Sequence, residues 1–161
     1  MKREMRRQDR KVTDPALIEA CMKESICLHV GFNDEGEVYI LPVNFGYVIE
    51  DGRYTLYFHG ASAGRKYDLA KNSPAVGIEM ESRMVGVTAD KACNFSQDFL
   101  SIIGNGVCSI VEDENEKVKG LTALMTKISG RSDWEFPEAM LKNTTVFKVE
   151  VTELSCKEHV S

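Results

Sequence analysis

Six stretches of this chain read as β-strands, and short turns rather than long crossovers separate the first three. Ile26-Cys27-Leu28-His29-Val30-Gly31-Phe32 runs into the turn signal Asn33-Asp34-Glu35-Gly36, and Val38–Ile49 follows it. Asp51-Gly52 marks a second tight turn, after which Tyr54-Thr55-Leu56-Tyr57-Phe58-His59 reads as the third strand. Strands joined in this way predict an antiparallel meander. Further strands are expected at Ala75–Met80, Phe99–Val111 and Thr145–Leu154, the last alternating as a strand with one solvated face does. Gly104 and Gly106 suggest a bulge or a close backbone approach in the fifth run.

Helical spacing is confined to shorter pieces. Asp14 as N-cap and Pro15 at the first helical position open a helix that places Leu17, Ile18, Cys21 and Met22 on one face. A short helix is expected over 64–72, a longer one capped by Asp113 with Val118, Leu121, Leu124, Met125 and Ile128 inward, and a small one over 137–142. The expected fold class is therefore α+β: a six-stranded, mostly antiparallel barrel with peripheral helices, in one domain over residues 1–161 with 1–12 as an N-terminal arm.

Composition narrows the function classes. Apolar residues make up 43% and charged residues 28%, ordinary values for a globular protein. No apolar run approaches the ~20 residues of a membrane span, and the first ten residues lack the apolar stretch of a signal peptide. The expectation is a cytoplasmic protein with no membrane partner. A net charge of −5 argues against a nucleic-acid partner. The basic start (Lys2, Arg3, Arg6, Arg7, Arg10, Lys11) carries no interleaved aromatics and reads as a solvated or subunit-clasping arm. The five cysteines, at 21, 27, 93, 108 and 156, form no C-x-x-C pair, so neither a zinc site nor a dithiol redox motif is indicated. Cys27 and Cys108 fall in apolar runs, whereas Cys93 lies in a polar stretch and is expected to be exposed.

The segment richest in chemistry is Phe58-His59-Gly60-Ala61-Ser62-Ala63-Gly64-Arg65-Lys66. Small residues between a strand and a helix let backbone N–H groups approach an anion, and a helix start adds positive potential. Ser62 offers a hydroxyl, and Arg65 and Lys66 offer charge. The same segment also reads as an ordinary strand-to-helix connection with a solvated basic pair; neither a Walker loop nor a dinucleotide turn is present. In the second strand, Pro42 removes a ladder donor and so marks an edge or bulge. Asn44 could present its amide to a polar ring edge, or be a satisfied core asparagine.

At these residues the chain resembles the pyridoxamine 5′-phosphate oxidase-like superfamily of FMN-binding split barrels, and within it the 5-nitroimidazole-resistance (Nim) group. The resemblance rests on Met5-Arg6-Arg7-x-Asp9-Arg10 with Thr13-Asp14, Tyr39-Ile40-x-Pro42-Val43-Asn44-Phe45-Gly46-Tyr47, Leu56-Tyr57-Phe58-His59-Gly60-Ala61 with Gly64, Lys66 and Leu69, and Ser101-x-x-Gly104-x-Gly106. It implies a homodimer with FMN at the subunit interface and a small-molecule substrate. It places Leu41, Pro42, Val43 and Asn44 along the isoalloxazine ring, and Phe58, His59 and Gly60 near the ring or ribityl chain. Ser62, Gly64, Arg65 and Lys66 fall at the phosphate, Ser101 at the flavin, and Trp134 over the pocket of the partner chain.

His59 could orient substrate, transfer a proton near neutral pH, ligate a metal or haem iron as in some split-barrel relatives, or be structural. His29 sits mid-strand and His159 near the end, so no two-histidine metal spacing is visible, and no metal site is expected. Glu79 and Glu81 alternate with apolar residues and read as a solvated face. The functional expectation is an FMN-dependent oxidoreductase with His59 as its catalytic residue, acting on nitroaromatics such as 5-nitroimidazoles. The alternatives are a non-catalytic flavin- or haem-binding protein and a pyridoxal-phosphate-related oxidase, although Phe147–Ser161 lacks the arginine-rich signature of the latter.

Overall fold

The computed structural model of the chain describes residues 4–161. One eight-stranded sheet dominates: β1 (Lys11–Val12), β2 (Leu28–Asp34), β3 (Glu37–Val43), β4 (Gly46–Glu50), β5 (Arg53–Gly60), β6 (Ala75–Val87), β7 (Ser96–Val111) and β8 (Thr145–His159). Four helices accompany it: α1 (Pro15–Glu24), α2 (Arg65–Ala70), α3 (Glu114–Ser129) and α4 (Glu138–Asn143). Every strand pairing is antiparallel, in the order β3-β2-β6-β7-β8-β5-β4, with β1 stitched to β8. No helix among the described residues is long and apolar enough to cross a membrane.

The order departs from the expected meander in one informative place. Val38–Ile49 is not one strand: the pairing stops at Val43 and restarts at Gly46, across the two-residue connection Asn44-Phe45. β3 pairs only with β2 and β4 only with β5, so the connection carries the chain from one end of the sheet order to the other. Pro42 accordingly lies on an edge strand, where a missing ladder donor is tolerated. Splitting this run, and adding the short β1, raises the count from six strands to eight. The stretch 83–98, unreadable by periodicity, extends β6 and opens β7, with a register shift between Ser82 and Val85 and a short 3-10 turn at Ala92–Asn94.

Although the ends of the sheet do not pair, its inner faces share one core. Leu28, Val30 and Phe32 of β2, Leu56 and Phe58 of β5, Ile78 and Met80 of β6, Leu100 and Ile102 of β7, and Phe147 and Val149 of β8 are all buried in a single cluster. Strands far apart in the order can meet in this way only if the sheet wraps round on itself, which makes it a split barrel. α1 closes one opening with Ile18, Cys21 and Met22, its N-terminus capped by the Asp14 side chain accepting from the Ala16 N–H. α3 lies on β4 and β5, where Gly46 meets its backbone and Gly120 meets the Tyr57 ring.

Candidate functional site

The segment 58–66 begins at the end of β5. Phe58 faces inward, buried and stacked on Phe147 with ring centroids 5.0 Å apart. It therefore forms the floor of the turn rather than its surface. His59 alternates outward and is exposed, opposite Val146 of β8. Gly60 closes the strand. A Cβ there would lie 2.5 Å from Lys66 Nζ, so glycine is what lets the lysine fold back over the strand end. Gly64 has φ +96°, a conformation other residues reach only with strain, and it starts α2. That helix has only six residues, so its dipole contributes little and side chains must supply any anion affinity.

Folding treats the two basic residues differently. Arg65 turns away from the turn: its guanidinium donates to Asp34 Oδ2 at 2.6 Å and Glu37 Oε2 at 3.0 Å, and stacks over the Tyr39 ring at 4.5 Å. It ties α2 to the β2–β3 hairpin. Lys66 instead lies with Nζ 5.1 Å above the Phe147 ring and 5.7 Å from the Phe58 ring, with no carboxylate on it among the described residues. Burial pushes its ammonium below the ordinary lysine range. Beside it, Ser62 Oγ and Thr145 Oγ1 are hydrogen-bonded at 2.6 Å. Thr145 is buried at the start of β8. It could not be read as a site residue from sequence, because it lies 83 positions from its partner.

The other expected residues lie on different parts of the sheet. Leu41 and Val43 pack against the core, Pro42 points to the outer face opposite His29, and Asn44 is exposed in the connection to β4. Ser101 is half-buried on the outer face of β7, between Glu81 of β6 and Lys157 of β8. Within one chain Trp134 joins none of these. Its indole donates to Ser129 Oγ at 3.1 Å and lies under Arg131. Of the cysteines, Cys93 is exposed and Cys27 half-buried, whereas Cys108 is fully buried and its thiol is pushed up to about 12 by burial, with Lys66 pulling the other way.

The outer face of β3, β2, β6 and β7 is the most distinctive surface. Val38, Ile40 and Ile103 are 78%, 60% and 58% exposed, around Gly31 and Gly77. A second recess of about 650 Å³, lined by Ile103, Ser101 and Met5, meets at Asn105 the larger one of about 740 Å³ that Val38 and Ile40 border. In the wall of the larger recess His29 Nδ1 lies 2.9 Å from Glu79 Oε2, and Glu81 lies beside them. Glu79 is pushed up to about 7, first by burial and then by its hydrogen bond to Glu81 and that residue's charge, against the opposite pull of His29. The pair read from sequence as a solvated face is half-buried.

The family model described as "Pyridoxamine 5'-phosphate oxidase" matches residues 14–158. No curated protein matches the chain. Among solved structures, a candidate 5-nitroimidazole antibiotic resistance protein from Bacteroides thetaiotaomicron is 27% identical, with TM-score 0.77, over 92% of this chain and 86% of that one. The flavocytochrome Anf3 from Azotobacter vinelandii is 22% identical, with TM-score 0.78, over 98% of this chain and 73% of its own. An FAD- and haem-binding protein from Mycobacterium smegmatis is 15% identical, with TM-score 0.81, over 94% and 74%.

Proposed function

This chain belongs to the pyridoxamine 5′-phosphate oxidase family, and from that premise we propose that it is an FMN-dependent oxidoreductase working as a homodimer, with nitroaromatics such as 5-nitroimidazoles as its acceptors. The observation that carries the proposal is Lys66: a half-buried ammonium with no carboxylate on it among the described residues, beside a hydroxyl pair, just after a turn of small residues. An uncompensated cation in such surroundings is unfavourable unless an anion arrives, and a phosphate monoester fits both the charge and the hydroxyl donors.

In this reading Lys66 is the principal phosphate ligand, with Ser62 and Thr145 donating hydroxyls and the Gly64 turn giving the backbone room. Arg65 adds charge by giving up one of its two carboxylates. Pro42 and Ser101 line the ring from the outer face with the backbone of Leu41–Asn44, Phe58 supports the turn from the core, His59 flanks the ring, and Trp134 closes the pocket of the partner chain. Bound FMN supplies the two-electron chemistry, and the protein positions it and excludes water. Taking a nitro group to an amine consumes six electrons and six protons and releases two water molecules, so an external reductant would have to recharge the flavin three times per acceptor. The likeness to the Bacteroides candidate 5-nitroimidazole resistance protein supports the choice of acceptor, and the likeness to flavin-binding structures supports the cofactor.

The test is comparative binding. Wild-type protein should bind FMN at least tenfold more tightly than riboflavin, by fluorescence quenching, and Lys66→Met should abolish that preference while leaving riboflavin binding intact. An unchanged preference in Lys66→Met would overturn the phosphate assignment. His59, exposed and without a hydrogen-bond partner among the described residues, favours one second reading, a haem-binding protein without turnover. A Soret band that disappears in His59→Ala would select it.

A further inference from the structure

We propose that His29, Glu79 and Glu81 form a binding site for a divalent first-row transition cation in the wall of the outer-face recess. One imidazole nitrogen and one oxygen from each of the two carboxylates lie within 4.8 Å of one another. Ligand atoms sharing an ion at about 2.1 Å stand roughly 3.0 Å apart in octahedral and roughly 3.4 Å apart in tetrahedral coordination, and the 2.9 Å between His29 Nδ1 and Glu79 Oε2 is close to the first.

The backbone fixes the arrangement. His29 lies directly opposite Glu79 in the β2–β6 ladder, and Glu81 follows two residues along on the same face. All three sit on interior strands of the sheet order, where side-chain directions are set by the pleat rather than by a loop. No lysine or arginine neutralises either carboxylate among the described residues, so two acidic groups share a single imidazole. A divalent cation removes that imbalance. One nitrogen with two oxygens suits Zn²⁺, Mn²⁺ or Fe²⁺ better than Mg²⁺ or Ca²⁺, which prefer oxygen alone. Three protein ligands leave coordination positions open toward the recess, where water or a small anionic ligand can reach the ion.

The site is separate from the phosphate turn but near the surfaces assigned to the flavin: Pro42 stands opposite His29, and Ser101 opposite Glu81. Its test therefore reads metal binding directly, in protein free of flavin. Purified chain freed of metal is titrated with Co²⁺ and with Mn²⁺, following the cobalt d–d spectrum and the loss of free Mn²⁺ resonance signal. One ion per chain is expected. Affinity should fall at least tenfold in Glu79→Gln and in His29→Ala, with no near-ultraviolet thiolate band that would place cobalt on a cysteine. Glu79→Gln keeps the size and polarity of the side chain, and an unchanged thermal midpoint certifies its fold. Equal affinity in wild type and Glu79→Gln, a thiolate band, or no binding at micromolar ion would overturn the proposal. FMN titrated into the same variants separates the two readings, since neither result requires the other.

Discussion

Lys66 shows how far a single residue is legible before folding. In sequence Arg65 and Lys66 are one basic pair after a small-residue turn. Folding separates them because Asp34 and Glu37, 31 and 28 positions earlier, come from a hairpin that no local pattern connects to α2. The arginine becomes a structural tie and the lysine is left over aromatic rings. The same limit hid the His29–Glu79 contact, which spans 50 positions. The alternation of Glu79 and Glu81 was visible, but not the imidazole facing them. A consequence at Lys66 can be measured: in cofactor-free protein, burial of an unpaired ammonium opposes folding. Lys66→Met should therefore unfold at an equal or higher urea concentration than wild type even as phosphate recognition is lost. A lower midpoint would mean that the Phe58 and Phe147 rings stabilise the ammonium by more than its burial costs.

At the scale of elements, strands and helices were largely visible and their partners were not. Residues 38–49 keep a strand-like apolar pattern throughout, because Leu41 and Val43 face the same core as Phe45. Period two reports which face is buried and is silent on which strand lies alongside. Pro42 and Asn44 were the only local signs that the run breaks. What holds β4 in place is α3, and the contact is intimate: a Cβ on Gly46 would stand 2.2 Å from the Leu124 backbone nitrogen and 2.4 Å from the Ala123 carbonyl carbon. Neither neighbour is a flexible side-chain tip, so the helix itself must shift. Gly46→Ala should cost about 3 kcal/mol, the upper end for overpacking. Gly86→Ala, where a Cβ meets open space, should stay within about 0.5 kcal/mol of wild type. Urea unfolding of the two variants side by side checks the contrast.

The whole molecule presents an asymmetry that composition could not show. Apolar content is ordinary, yet the described chain leaves Val38, Ile40 and Ile103 uncovered on one face of its sheet, around glycines that keep that face flat and above a recess. Single exposed aliphatics are common, but three on one face of a sheet beside open recesses fit an interaction surface. A twofold partner laid there would cover these side chains and enclose the recess that Ser101 lines, completing a pocket to which one chain contributes only one wall. Dimerisation and flavin retention are then coupled by geometry, and one variant can expose the coupling. Ile40→Glu combined with Ile103→Glu places charge on exposed positions that do not belong to the core, so the thermal midpoint of the isolated fold should change little. In sedimentation velocity the variant should run as a monomer, and its FMN affinity should fall at least tenfold although Lys66, Ser62 and Thr145 are untouched. A dimer that survives both charges would place the subunit contact on another face. A monomer that still binds FMN as tightly as wild type would show that one chain suffices for the cofactor.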